Sequence, residues 1–73
     1  MASESVKAEV TGKVWKVLIN VGDTVAEDDV ILIVESMKME IPVVAPCAGR
    51  LAKLLVGEGD DVADGQEVAI VEP

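Results

Sequence analysis

Short apolar segments separated by turn residues recur along the whole chain. Residues 13–19 and 30–35 are rich in Val and Ile, and similar segments return at residues 50–56 and 67–72. β-Branched side chains favour strands over helices. These four segments are therefore predicted to be strands.

Two further segments, residues 6–10 and 40–45, are expected to be strands that open the two halves of the chain. Pro42 and Pro46 lack the N–H that a sheet ladder requires, so we expect them at a sheet edge or at strand ends. In total the pattern predicts six to eight short strands and no helix.

The second half of the chain repeats the first at an offset of 37 residues. Ten of the 24 residues from 12 to 35 are identical to the residue 37 positions later. Repeats this short cannot each bury an apolar face, so the two copies, about 6–36 and 43–73, are expected to pack around a pseudo-two-fold axis. The chain is too short for a second domain, which predicts one all-β domain over residues 1–73, either a sandwich or a flattened barrel. The identical pairs are Gly12/Gly49, Lys16/Lys53, Leu18/Leu55, Gly22/Gly59, Asp23/Asp60, Val25/Val62, Ala26/Ala63, Ile33/Ile70, Val34/Val71 and Glu35/Glu72.

The turns within each copy carry Gly at positions 22, 59 and 65, where a positive φ is expected. Asp28 stands where the second copy has Gly65. Aspartate tolerates the left-handed conformation better than most residues, so Asp28 is expected to adopt it.

The residues between the copies predict a tight hairpin. Reading outward from the Met-Lys pair at 37–38, Ser36 faces Met39 and Glu35 faces Glu40. A two-residue tip would force two residues other than Gly into positive φ, at a cost in strain. Strain at a loop tip suggests function rather than stability.

Other features of this tip also oppose folding. Glu35 and Glu40 would be like charges directly across the two strands, and Met37 and Met39 would be pushed into water. The alternative for the methionines is packing into the core, and the alternative for Lys38 is an ordinary solvated surface lysine. Because several folding rules are broken around one residue, Lys38 is predicted to be the functional residue.

Composition and charge exclude several classes of function. The chain has no His and only one Cys, Cys47, so it lacks the usual general base and cannot form an internal disulfide. The net charge of −8 disfavours nucleic acid and anionic membranes and favours basic protein partners, although acidity also serves solubility.

The longest apolar run, residues 30–34, is too short to span a bilayer, and the N-terminus has no apolar signal core. We expect a cytoplasmic monomer with Cys47 reduced and in a structural position at a strand end.

Acidic pairs at residues 28–29 and 60–61 are the candidates for metal ligands. Mg²⁺ and Ca²⁺ sites need more oxygen ligands in a defined geometry, and acidic turns between strands are usually solvated. No metal site is predicted.

The run Glu35-Ser36-Met37-Lys38-Met39-Glu40 closely resembles the biotinyl domains of biotin-dependent carboxylases, also called biotin carboxyl carrier domains. The resemblance includes the Gly-Asp-x-Val elements and covers essentially the whole chain. Met on both sides of the lysine resembles the biotin type, whereas lipoyl domains usually carry Asp or a small residue before it. The chain departs from the family pattern in having Ser36 for the commoner Ala, Glu9 for Pro and Asp28 for a turn Gly, and the turn at residues 20–24 leaves no room for a protruding loop.

The resemblance implies a flattened barrel-sandwich hybrid of two four-stranded sheets, with Lys38 on a tight turn. A biotin protein ligase would attach biotin to Lys38 through an amide, with Met37, Met39 and the flanking Glu35, Ser36 and Glu40 as candidates for ligase recognition. The carrier would then shuttle carboxybiotin between a biotin carboxylase and a carboxyltransferase, without catalytic residues of its own. It is expected to be a minimal stand-alone carrier or a domain of a larger carboxylase.

Two other functions remain open at this point: a lipoyl carrier that uses the same lysine, and an unmodified interaction module. Symmetry adds a geometric expectation that applies to all three. The two-fold mates of residue 38 fall at position 1 and just beyond position 73, so the termini should lie together, opposite Lys38.

Overall fold

The computed structural model describes residues 3–73, and within them it contains eight strands and no helix. The predicted all-β fold is confirmed. The strands are β1 (Glu4–Lys7), β2 (Gly12–Val17), β3 (Thr24–Val25), β4 (Val30–Ser36), β5 (Met39–Val44), β6 (Gly49–Leu54), β7 (Asp61–Val62) and β8 (Glu67–Glu72). A membrane-spanning helix is accordingly absent from residues 3–73.

The strands form two four-stranded antiparallel sheets, with orders β1-β8-β6-β3 and β5-β4-β2-β7. Each sheet takes two strands from the first half of the chain and two from the second. Neither half can therefore complete a sheet alone, and the predicted sandwich with a pseudo-two-fold repeat is confirmed.

The pseudo-two-fold relation extends to the backbone hydrogen bonds of the crossing loops. The amide of Gly22 donates to the carbonyl of Leu51 over 2.8 Å, and the amide of Gly59 donates to the carbonyl of Val14 over the same distance. Both members of the second bond lie 37 residues from their counterparts in the first. Each loop is thus fixed to a central strand of the opposite half.

The core lies between the sheets and is built almost entirely from aliphatic side chains. Ile31, Leu32 and Leu51 are the largest residues that are fully buried, and no polar or charged side chain is buried in the described part of the chain. Burying one such aliphatic side chain contributes about 1.5–3 kcal/mol. The core is Val6, Ala8, Val14, Val25, Ile31, Leu32, Val34, Val43, Ala45, Leu51, Val56, Val62, Val68, Ala69 and Val71.

The first strand differs from its predicted bounds, residues 6–10. β1 starts two residues earlier and ends at Lys7, because the amide of Ala8 donates to the carbonyl of Gln66 over 2.9 Å and its carbonyl accepts from Gly65 over 2.8 Å. Those partners belong to the turn before β8, so the ladder stops there. Strands β2 and β6 likewise end two residues before the predicted positions.

The two prolines lie where expected. Pro42 is on β5, the edge strand of its sheet, opposite Ile33, and Pro46 follows the end of that strand. Cys47 lies in the bend between β5 and β6, half-buried against the core. This agrees with a structural position, although in the connection rather than in a strand.

The turns at positions 28 and 65 have matching geometry, as predicted. Asp28 has a φ of 72° and Gly65 a φ of 84°. Beside Asp28, a carboxylate oxygen of Asp29 accepts from the amide of Ala26 over 2.8 Å. In the other acidic turn Asp60 accepts from Gly57 over 2.8 Å. These exposed carboxylates therefore cap turn amides, and the described residues hold no cluster of three or more acidic, Cys or His side chains that could bind a metal.

The described ends of the chain lie side by side, because β1 pairs with β8 and Glu4 is opposite Val71. Position 1, on which the symmetry argument also relied, lies outside the described residues. The pseudo-two-fold axis exchanges this end with the β4–β5 turn. In a molecule of 36 × 19 × 18 Å, the turn that carries Lys38 therefore lies opposite the termini.

Close backbone approach requires Gly at two equivalent positions. A Cβ atom on Gly12 would lie 2.4 Å from the carbonyl oxygen of Glu35, and one on Gly49 would lie 2.2 Å from that of Glu72. Backbone oxygens in a sheet ladder cannot move away cheaply. Gly12 and Gly49 therefore allow β2 and β6 to pack against β4 and β8.

We expect Gly12→Ala and Gly49→Ala each to lower the free energy of unfolding by about 1–3 kcal/mol, since overpacking costs this much. Gly57→Ala is the matched control, because a Cβ there would meet only Asp60 Oδ2, at 3.9 Å, and its loss should stay within about 0.5 kcal/mol. Urea unfolding of the three variants measures the difference. Equal stabilities of all three would contradict the close approach.

Candidate functional site

The hairpin between β4 and β5 has the predicted register. Ser36 pairs with Met39 and Glu35 pairs with Glu40, which leaves a two-residue tip at positions 37–38. The residues paired on either side of the tip are thus the ones that the sequence pattern predicted.

The tip residues are in the left-handed region, with a φ of 51° at Met37 and 68° at Lys38. Positive φ at both central residues is the conformation of a type I′ turn, which matches the twist of a hairpin but favours Asn-Gly. Each residue other than Gly in this region costs on the order of 1–3 kcal/mol. Besides Asp28, these are the only residues other than Gly with positive φ between positions 3 and 73.

All three side chains of the Met-Lys-Met segment project into solvent. Met37 is 93% exposed and Met39 is 63% exposed, and Lys38 between them is exposed as well. Packing of the methionines into the core is therefore excluded. The primary amine of Lys38 is presented at the end of the molecule with an apolar side chain on either side.

The flanking carboxylates are exposed and face each other across the hairpin, as expected for Glu35 and Glu40. On the other side of β4, however, Lys13 of β2 pairs with Glu35. An opposite charge directly across a strand pair is favourable, so Lys13 offsets part of the repulsion between the glutamates. Sequence reasoning missed Lys13, because the pairing of β2 with β4 joins segments that are distant in the chain.

Ser36 is anchored to a segment that the sequence did not single out. Its hydroxyl donates to the carbonyl of Thr11 over 2.8 Å, and the hydroxyl oxygen of Thr11 accepts from the amide of Asp64 over 3.1 Å. The repeat could have indicated this contact, because Thr11 and Ser36 carry hydroxyls that their equivalents, Ala48 and Pro73, lack.

The chemistry available at the tip is that of a nucleophilic amine without local assistance. The chain contains no His, and the cleft between the edge strands β1 and β5 includes neither Met37 nor Lys38 in its lining. An acyl group transferred to Lys38 Nζ would form a stable amide and extend into solvent. The chain offers no imidazole that could take up the amine proton during such a transfer.

Comparison with known families gives one match over nearly the whole chain. The biotin/lipoyl family model, described as "Biotin-requiring enzyme", matches residues 1–71.

Several curated proteins are similar in sequence over part of their length. The "Biotinylated protein TB7.3" of Mycobacterium tuberculosis is 49% identical over 43 residues, which cover 59% of this chain and 61% of that protein. The "Biotin carboxyl carrier protein" of Streptococcus mutans is 47% identical over 47 residues, 64% of this chain and 36% of that protein. The "Biotin/lipoyl attachment protein" of Bacillus subtilis is 44% identical over 41 residues, 56% of each chain. The chain therefore matches less than two thirds of the length of each of these relatives.

Two solved structures match the fold over more than nine tenths of the chain. The urea carboxylase of Kluyveromyces lactis superposes with a TM-score of 0.93 at 38% identity, covering 99% of this chain and 6% of the carboxylase. A single-chain, multi-domain long-chain acyl-CoA carboxylase superposes with a TM-score of 0.86 at 26% identity, covering 93% of this chain and 7% of the other.

The family model covers all eight strands except the last residue of β8, and it includes the hairpin tip at positions 37–38. This protein belongs to the biotin/lipoyl family of biotin-requiring enzymes.

Proposed function

We propose that this chain is a biotin carrier domain in which biotin is joined by an amide to Nζ of Lys38. The observation that carries the proposal is the tip geometry: Lys38 has a φ of 68°, and both its neighbours are exposed methionines. A fold selected for stability alone would place Asn-Gly at this turn. In a chain of the biotin/lipoyl family, such a lysine is the natural attachment residue.

Biotin is favoured over lipoate by the proteins that the chain resembles. Relatives from Mycobacterium and Streptococcus are named biotinylated protein and biotin carboxyl carrier protein, and both solved structures are carboxylases. The Bacillus relative is named for either cofactor, so a lipoyl carrier is the alternative that the mass measurement below must distinguish.

The domain is first a substrate of a biotin protein ligase. The amine of Lys38 would attack the carbonyl of an activated biotinyl adenylate, form the amide, lose a proton and release the nucleotide. The ligase must supply the base, because the chain has no His. The amide removes one positive charge, which takes the net charge from −8 to −9. Met37, Met39 and the flanking Glu35, Ser36 and Glu40 are the surface that the ligase would recognise.

The loaded domain would then carry carboxybiotin from a biotin carboxylase to a carboxyltransferase, without catalysing either step. The lysine and valeryl arm of roughly ten bonds, each of about 1.5 Å, reaches on the order of 12–14 Å. The domain itself is 36 Å long, so the arm reaches less than half its length. We therefore propose that the whole domain moves between active sites, with a tether at the terminal end leaving the tip free.

Lys38→Arg is expected to abolish loading, because a guanidinium keeps the charge but does not form the amide. Intact mass after coexpression with a biotin ligase is the measurement, and the parent chain should gain one biotinyl group. Lys53→Arg on β6 is the matched control and should be loaded like the parent. A lipoyl-sized increase would support the alternative carrier. No increase in the parent, or an increase that survives Lys38→Arg, would contradict the proposal.

Met37→Asn should separate stability from recognition. Asn tolerates positive φ better than Met, so we expect the free energy of unfolding to rise by about 1 kcal/mol, a part of the strain of a left-handed residue. The rate of biotinylation should fall, because an apolar contact to the ligase is lost. Met39→Asn is the control: Met39 is exposed but has no positive φ, so loading should fall without a gain in stability. Loading of Met37→Asn at the parental rate would show that Met37 is not recognised.

A further inference from the structure

The two ends of this pseudo-symmetric molecule differ in their side-chain hydrogen bonds. At the tip end, the Ser36 hydroxyl donates to the Thr11 carbonyl over 2.8 Å, and the Thr11 hydroxyl accepts from the Asp64 amide over 3.1 Å. At the other end, the equivalents of Thr11 and Ser36 are Ala48 and Pro73, which have no hydroxyl. The two bonds thus exist only at the end that carries Lys38. We call Ser36, Thr11 and Asp64, with these two bonds, the tip clamp.

The other end of the repeat has the same strand pairing without an equivalent of the tip clamp. The strand pairing beside it has a counterpart at the other end, since Lys13 pairs with Glu35 and Arg50 pairs with Glu72. The close approach that requires Gly12 also has its equivalent there. A polar addition at one end only, in an otherwise duplicated scaffold, points to a role specific to the tip.

The tip clamp joins three segments that are far apart in the chain. Ser36 is the last residue of β4 and directly precedes Met37, Thr11 lies between β1 and β2, and Asp64 lies in the turn before β8. The strained turn would relax most easily by opening at its base, where β4 ends. A bond from Ser36 to the neighbouring β1–β2 connection holds that base, and the Thr11–Asp64 bond holds the connection.

We propose that Ser36 and Thr11 are positioning residues that keep Lys38 presented to the biotin protein ligase. The inference rests on the proposed function and adds to it how the lysine is held. A net hydrogen bond changes a conformational equilibrium by about three- to ten-fold. A single bond at the base of the turn is therefore large enough to change the population of the presented conformation measurably.

Amide hydrogen exchange of the unmodified chain tests the tip clamp without a ligase. Ser36→Ala is expected to speed exchange at the amide of Met39, the residue paired with position 36 across the turn, by about three- to ten-fold, since the turn opens more often. Ser36→Thr restores the hydroxyl and should restore slow exchange. Ser5→Ala is the matched control, because it removes an exposed serine bond to Glu67, of 2.9 Å, on the other sheet. It should leave exchange at the tip unchanged.

Biotinylation kinetics test whether the tip clamp serves Lys38. If the ligase binds the presented conformation, Ser36→Ala should raise KM for the carrier by up to about ten-fold and leave kcat unchanged. Thr11→Val removes the bond to Asp64 but keeps the Thr11 carbonyl, so a smaller rise is expected. In a Met37→Asn background, where the turn is less strained, the effect of Ser36→Ala on exchange should shrink.

The outcomes are distinguishable. A parent chain that is not biotinylated overturns the proposed function and, with it, the presentation of Lys38 to a ligase. Normal loading of the parent with unchanged tip exchange in Ser36→Ala overturns the tip clamp alone. Faster exchange with an unchanged KM would show that the bond orders the turn without positioning Lys38, and would also overturn the inference.

Discussion

The structure depends on the sharing of two sheets by two similar halves of the chain. Each sheet takes two strands from each half, and the apolar faces that the halves cannot bury alone meet in one core. Because the pairing is reciprocal, close backbone contacts in one half recur in the other, as at Gly12 and Gly49. The result is one two-sheet body of 71 described residues whose ends occupy equivalent positions in the fold.

The two ends occupy equivalent positions in the fold but carry different segments of the chain. One end carries the paired terminal strands and the other carries the turn of Met37 and Lys38. In the proposed function, a tether at the first end would leave the second end free to approach different partners. The exposed methionines lie at the second end, in a chain whose net charge is −8.

The tip exposes Lys38 to solvent at a cost in local stability. Two residues other than Gly hold positive φ there, and two like charges face each other at its base. Such strain persists only when the surrounding structure holds it in place. Here the β4–β5 ladder, Lys13 beside Glu35 and the hydrogen bond from Ser36 to Thr11 surround the turn. These contacts hold a short, strained turn in one conformation, with Lys38 at its tip.

The sequence alone determined the strand content, the repeat, the hairpin register and the strain at Met37 and Lys38. These features are readable because a hairpin pairs neighbours in the chain and because a repeat shows itself by self-comparison. Only the tertiary structure decided that both methionines are solvent-exposed, that Lys13 faces Glu35, that Ser36 bonds to Thr11 and that β1 ends at Lys7. The reason is physical: each of these depends on which distant segments become neighbours when the two halves share their sheets, and composition and local periodicity do not specify that pairing.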